Sequence, residues 1–209
     1  MEAFWIRFLP ALQKMKEIIE SGIIGDVVWA RSDYGFIARG ARKDRKFDSA
    51  LAGGALLDIG IYNLGFMRMV MSDTQPESFD SSHHINEYGT DDFSTVLLRY
   101  PGGKSAVVTT SIGIDMTRYA AIYGTKGSIL LDDFQHAEKL TVCPEGQDPY
   151  EVYLPREING FEYEIREVDR CVKLGMTTSD TLKPADTLEI LKLMDDIRAS
   201  WGLTFACEQ

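Results

Sequence analysis

The chain has 209 residues, 44% of them apolar, which is enough for one domain with a sizeable core. Its 32 acidic against 22 basic residues give a net charge of −10, which repels a phosphate backbone and argues against nucleic acid or an anionic membrane as partner. Three cysteines, Cys143, Cys171 and Cys207, lie far apart without a CxxC pair, which fits a reducing compartment, the cytoplasm by default, and argues against a disulfide framework or zinc site.

In chain order, the opening MEAFWIRFLP places Glu2 before any basic residue and does not read as a signal peptide; no run is expected to span a membrane. Phe8, Leu12, Met15 and Ile19 recur at helical spacing, with Pro10 early and Gly22 and Gly25 closing a helix over roughly residues 8 to 21. DVVWARSDYGFI, 26 to 37, reads as a strand, followed by the basic loop ARGARKDRKFD. Residues 52 to 72 are too long for a strand and too apolar for the surface, so they read as a buried helix. SFDSSHHINEYG, FSTVLLRYPGG, KSAVVTTSIGI, YAAIYGTKGSILLDD, EKLTVCPEG and EVYLPR are β-rich runs between Gly, Pro and Asp punctuation, a meander of antiparallel strands. Phe161, Ile165, Val168 and Val172 mark one amphipathic helix; Ile190, Met194, Ile197 and Trp201 mark another.

Helices first, strands grouped and helices last predict a single α+β domain over 1–209: a predominantly antiparallel open sheet with helices packed on one face. Val96, Leu98, Val108 and Ile112 then lie on one sheet face or the other, and the uncovered face predicts a homo-oligomer.

Asp58 and Tyr62 are four residues apart and so share a face of the buried helix. A carboxylate beside a phenol can exchange protons, although a phenol titrating near 10 needs a cation to act as a base near neutrality. The same spacing also accommodates a locally bonded aspartate and a core tyrosine. His83 and His84, adjacent on a strand run, point to opposite sides and do not chelate one metal; no metal site is expected. GTKG, 124 to 127, sits between two strand runs without a strand-to-helix context and reads as a hairpin turn rather than a phosphate cradle.

AGGALLDIGIY (Ala52–Tyr62), EAFWIRF (Glu2–Phe8), GTKG, DDFSTVLLRYPGG and the closing WGLTF together resemble the Gfo/Idh/MocA oxidoreductases over nearly the whole chain. The pattern GGxLxDxGxY ending in Tyr62 resembles the branch holding trans-1,2-dihydrobenzene-1,2-diol dehydrogenase, glucose-fructose oxidoreductase and xylose dehydrogenases. The resemblance implies the substrate-side domain of an enzyme that uses NADP or NAD on a sugar, cyclic polyol or trans-dihydrodiol. It gives Tyr62 the proton exchange, with Asp58 beside it, and makes Trp5, Arg7, Arg31 and Phe36 candidates for the substrate wall. For Trp5 and Phe36 ordinary core packing competes with that role, and for Arg7 and Arg31 an ion pair does. Members of the family begin with a Gly-rich nucleotide-binding domain ending in an EKP segment whose lysine supplies the cation; neither is found here. The start at Met1 is therefore expected to be a truncation or a misplaced initiation codon, and the isolated chain to bind no cofactor and to be inactive. The competing expectation is a non-catalytic sugar-binding or subunit-association module.

Overall fold

The computed structural model describes residues 1–39, 45–205 and 208; residues 40–44 of the basic loop and Cys207 lie outside them. A 3-10 turn, Trp5–Phe8, leads into α1 (Pro10–Glu20), where Pro10 opens the first turn and Ala11, Leu12, Met15 and Ile18 are buried. Strand β1 (Val27–Gly35) follows, then a π-helical turn, Leu56–Gly60, that runs directly into α2 (Ile61–Val70). The strands β2 (Ser78–Ile85), β3 (Asp91–Arg99), β4 (Ser105–Ser111), β5 (Ala120–Gly124), β6 (Gly127–Leu131), β7 (Lys139–Pro144) and β8 (Tyr150–Tyr153) come next. Two helices, α3 (Phe161–Lys173) and α4 (Pro184–Ser200), end the fold.

The eight strands form one sheet in the order β2-β3-β4-β1-β5-β6-β7-β8. Every pairing is antiparallel except β1 with β4, so the meander expected from the sequence is split by β1, which pairs parallel to β4 and antiparallel to β5. Alternation separates the two faces. Ala30, Val96, Leu98, Ala106, Val108, Ile122, Ile129, Leu140 and Val142 point into the core shared with α1 and α2. Val96, Leu98 and Val108 thus lie on the covered face, while Ile112 joins a smaller cluster with Ala38, Ala55 and Ile59. The opposite face carries half-buried Trp29, Leu97, Val107 and Leu130 and exposed Arg31 and Tyr123. No element among the described residues packs over it.

The apolar stretch at residues 52 to 72 is a core element, as its composition predicts. Contrary to the sequence expectation, residues 49–70 are long and apolar enough to cross a membrane; most of that stretch is packed inside the protein, which accounts for its hydropathy. The histidine pair divides as strand alternation requires. His83 stacks on Trp201 at 4.7 Å and His84 binds Asp92 at 2.7 Å.

Candidate active site

The helical stretch that carries Asp58 and Tyr62 is held by the sheet on either side of that pair. At its start, the amide of Leu56 donates to Oδ2 of Asp91 at 2.8 Å, and Asp91 is 1% exposed. One residue beyond Tyr62, Asn63 Nδ2 donates to the carbonyl and the Oγ of Ser32, both at 3.0 Å, pinning α2 to β1. The π turn between these anchors contains Asp58, and such turns are a recurring feature of functional sites because they add a residue without breaking the helix.

Asp58 receives Arg45 at 2.7 Å on one oxygen and Lys46 on the other. Lys46 is 8% exposed and its Nζ lies 4.9 Å from the Phe36 ring centroid. Phe36, Lys46 and Asp58 therefore form one corner of the site. Tyr62 forms the other. It stacks on Phe4 with centroids 5.7 Å apart, and Tyr34 lies 6.4 Å away. Burial pushes the Tyr62 phenol up, and Tyr34, Asp58, Glu164 and Glu2 push it further. Nearby cations are engaged elsewhere: Lys46 and Arg45 on Asp58, Arg118 over the Tyr34 ring at 5.5 Å and 3.7 Å from Asp133. A phenol pushed up from its ordinary value stays protonated near neutrality.

Phe36 is brought to this site, whereas the other three wall candidates are placed differently. Trp5 is buried between Phe161, at 5.0 Å, and His136, at 5.4 Å. Arg7 is 6% exposed and donates to the Thr181 carbonyl at 2.7 Å and to Asp73 at 3.1 Å, within a cluster that includes the Arg68–Asp186 pair. Arg31 alternates with Ala30 and Ser32, which face α2, so it stands on the open sheet face, 5.0 Å from the Tyr119 ring centroid. It is on the other side of the sheet from Tyr62.

Phe4, Tyr34 and Lys46 were not singled out from the sequence, and the Asp91-Asp92 pair reads there as solvated charge, which the 1% exposure of Asp91 corrects. Lys46 lies in the basic run and Asp91 in the DDFSTV motif, but nothing local indicates that either reaches the helix. Phe4 is admitted by Gly65, because a Cβ at Gly65 would stand 1.9 Å from Phe4 Cζ. Alanine at position 65 gains about 1 kcal/mol in helix propensity but overpacks a buried ring at a cost of about 1–3 kcal/mol. We expect Gly65→Ala to lower the thermal midpoint by a few degrees and Phe4→Leu to restore part of it in the double variant. Additive losses in that thermal-unfolding cycle would show that the two positions do not meet.

A dinucleotide needs a backbone cradle for its pyrophosphate, and the described residues offer none. GTKG closes the β5–β6 hairpin, with Thr125 and Lys126 as its two-residue turn, and a Cβ at Gly124 would come within 2.1 Å of the Ile24 carbonyl.

A mostly antiparallel open sheet of eight strands with helices packed on one face defines an α+β domain. A family model, the GFO/IDH/MocA C-terminal domain, matches residues 12–130, and the chain belongs to the Gfo/Idh/MocA oxidoreductase family. Among curated proteins it is 34% identical over 211 residues to trans-1,2-dihydrobenzene-1,2-diol dehydrogenase from Homo sapiens, covering 98% of this chain and 63% of that enzyme. The enzyme of the same name from Mus musculus is 32% identical, with 98% and 62% covered. The chain thus spans less than two thirds of the relatives it matches. Among solved structures, aldose-aldose oxidoreductase from Caulobacter crescentus, complexed with glycerol, superposes with a TM-score of 0.81 at 20% identity, over 93% of this chain and 59% of that one. A 3-ketoreductase from Actinomadura kijaniata in complex with NADP and TDP-benzene gives 0.79 at 20% identity, over 95% and 61%. These two establish the fold.

Proposed function

We propose that this chain is the substrate-binding and oligomerisation half of an NAD(P)-dependent oxidoreductase acting on a sugar, a cyclic polyol or a trans-dihydrodiol. One observation carries the reading: Tyr62 is half-buried beside Asp58, its phenol is raised, and no cation of the described residues is committed to it. That is half of an acid/base device. Tyr62 gives a proton to the oxygen of a bound carbonyl, or takes one from the corresponding hydroxyl once a cation lowers its pKa. Asp58, held by Lys46 and Arg45, accepts a neighbouring substrate hydroxyl and fixes its orientation; Phe36 and Phe4 provide apolar walls. With no pyrophosphate cradle among the described residues, this reading gives the redox partner to another domain and makes the isolated chain inactive.

The test is reconstitution. The 209-residue chain is mixed with a dinucleotide-binding domain and NADP or NAD, and oxidation of aldoses, cyclic polyols and trans-dihydrodiols is followed by nicotinamide absorbance. Turnover in the mixture and none in either part is the expected result; a silent mixture would favour the non-catalytic association module.

Self-association falls to the open sheet face. Trp29 and Tyr123 stack at 5.2 Å there, flanked by half-buried Leu97, Val107 and Leu130. Light scattering is expected to show an oligomer at micromolar concentration that Leu97→Asp converts to monomer. A wild-type monomer under those conditions contradicts this assignment.

A further inference from the structure

Beside Tyr62 the sheet supplies a second polar pair that the acid/base chemistry does not use. Tyr34 alternates with Ser32 along β1 and so faces α2. Its ring is fixed from three sides, by Tyr62 at 6.4 Å, Phe36 at 6.3 Å and, edge-on, the fully buried Phe134 at 6.5 Å. Phenylalanine would fill that space equally well, so packing alone does not account for the hydroxyl. Burial raises the Tyr34 phenol while Arg118 works against the rise, and it remains a protonated donor near neutrality.

Arg118 reaches the same place from the segment before β5. Its carbonyl accepts from the Phe134 amide at 2.9 Å, and its guanidinium carbon stands 5.5 Å from the Tyr34 ring centroid. The guanidinium is incompletely engaged. Nη1 approaches Asp133 only to 3.7 Å, beyond hydrogen-bond reach, and Nε is buried without a partner among the described residues. Asp133 is held more closely by His136, whose amide and Nδ1 lie at 3.0 and 3.1 Å. A guanidinium carries five donors, and an under-used one at the edge of a site next to a half-buried phenol calls for an oxygen acceptor.

We propose that Arg118 and Tyr34 together bind a substrate hydroxyl remote from the reacting carbon, and so make the site select polyols over diols whose remaining ring is apolar. The inference rests on the reading of Tyr62 and Asp58 as the acid/base pair and adds what chooses among its substrate classes. Two properties of the pair set the chemistry. Both side chains offer donors, and a hydroxyl oxygen, with two lone pairs, accepts from both. Against the cost of burial, His136 and Arg118 hold the Asp133 carboxyl below its ordinary value, so it is ionised at neutrality and balances the guanidinium. A neutral hydroxyl therefore fits where a carboxylate or phosphate meets like charge. An apolar ring at the same place leaves both donors without an acceptor.

Two measurements test this. In the first, the isotopically labelled 209-residue chain is titrated with myo-inositol, and separately with D-glucuronate, while the Arg118 Nε–H resonance is followed by NMR after assignment through its loss in Arg118→Lys. Myo-inositol is expected to shift that resonance saturably, with an affinity that Tyr34→Phe lowers about fivefold. No saturable shift, or tighter binding of D-glucuronate, overturns the proposal. In the second, kcat/KM for myo-inositol, D-xylose and trans-1,2-dihydrobenzene-1,2-diol is measured in the reconstituted mixture. Arg118→Met is expected to lower the polyol-to-diol ratio about tenfold or more, through KM rather than kcat, and Arg118→Lys to restore part of it. Tyr34→Phe, which keeps the ring packed, should act in the same direction. A purely structural role lowers all three substrates together, and an unchanged ratio, or a wild type that prefers the diol, overturns the proposal while leaving the oxidoreductase reading standing. Saturable polyol binding at Arg118 in a mixture that turns over none of the three would do the reverse.

Discussion

In the reconstituted enzyme, Tyr62→Phe is expected to lower turnover by about 10²–10⁴-fold, the usual contribution of a positioned proton-transfer group, while leaving KM within a few-fold. The reason is geometric. The substitution deletes the hydroxyl but keeps the ring that Phe4 stacks on, so the wall of the site and the packing of α2 persist. Thermal unfolding of the variant should accordingly match wild type closely. The pH profile separates a chemical role from a structural one. Burial and four neighbouring groups raise the Tyr62 phenol in the isolated chain, so it stays protonated through neutrality and favours carbonyl reduction. A cation supplied by the docked domain lowers it, and oxidation should then rise with pH along a limb that Tyr62→Phe removes. Equal loss of both directions with an unchanged pH limb would mean that another group moves the proton.

The strands and the buried helix are legible in the sequence because each rests on a local signal: alternation, and an apolar run too long for a strand. What was not legible depends on contacts between distant segments. Nothing in VVWARSDYG states that β1 will lie between β4 and β5, and that insertion, with a register shift between Val27 and Trp29, decides that Arg31 faces away from Tyr62. Periodicity reports that α3 has an apolar face but not which way it turns. Arg7 shows the same limit in another form. Its sequence leaves an ion pair and a ligand contact both open, and only the folded chain shows Asp73 and the Thr181 carbonyl, 66 and 174 positions away, occupying it. Lys46 is the converse case, a member of a solvated-looking basic run that ends buried on Asp58.

Asp91 leads to the second large effect. Its carboxyl holds the start of the helical stretch that carries Asp58 and Tyr62 through the Leu56 amide, a favourable place for an anion, yet Oδ1 has no hydrogen-bond partner among the described residues and a Cβ at Gly54 would come within 2.2 Å of it. Burial outweighs the amide, and the charge of Asp92 adds to it, so the group is pushed up to about 6 from an ordinary value of 3.8. Between those two pH values the folded chain holds a proton that the unfolded chain has released, so stability falls as pH rises through this window. A difference of about two units corresponds to about 3 kcal/mol. Carboxylates held low by amide donors, such as Glu162 at about 2, act in the opposite sense and at lower pH. Comparing denaturant unfolding of wild type with Asp91→Asn cancels them. The difference between the two proteins should shift in favour of the variant as pH climbs from 4 to 7; a difference that stays flat would mean that water reaches the carboxylate. A buried anion at the head of the helix is tolerated at neutrality because it fixes the turn that presents Asp58. The variant should therefore gain stability at pH 7 and lose kcat in the reconstituted enzyme, stability exchanged for the placement of one side chain.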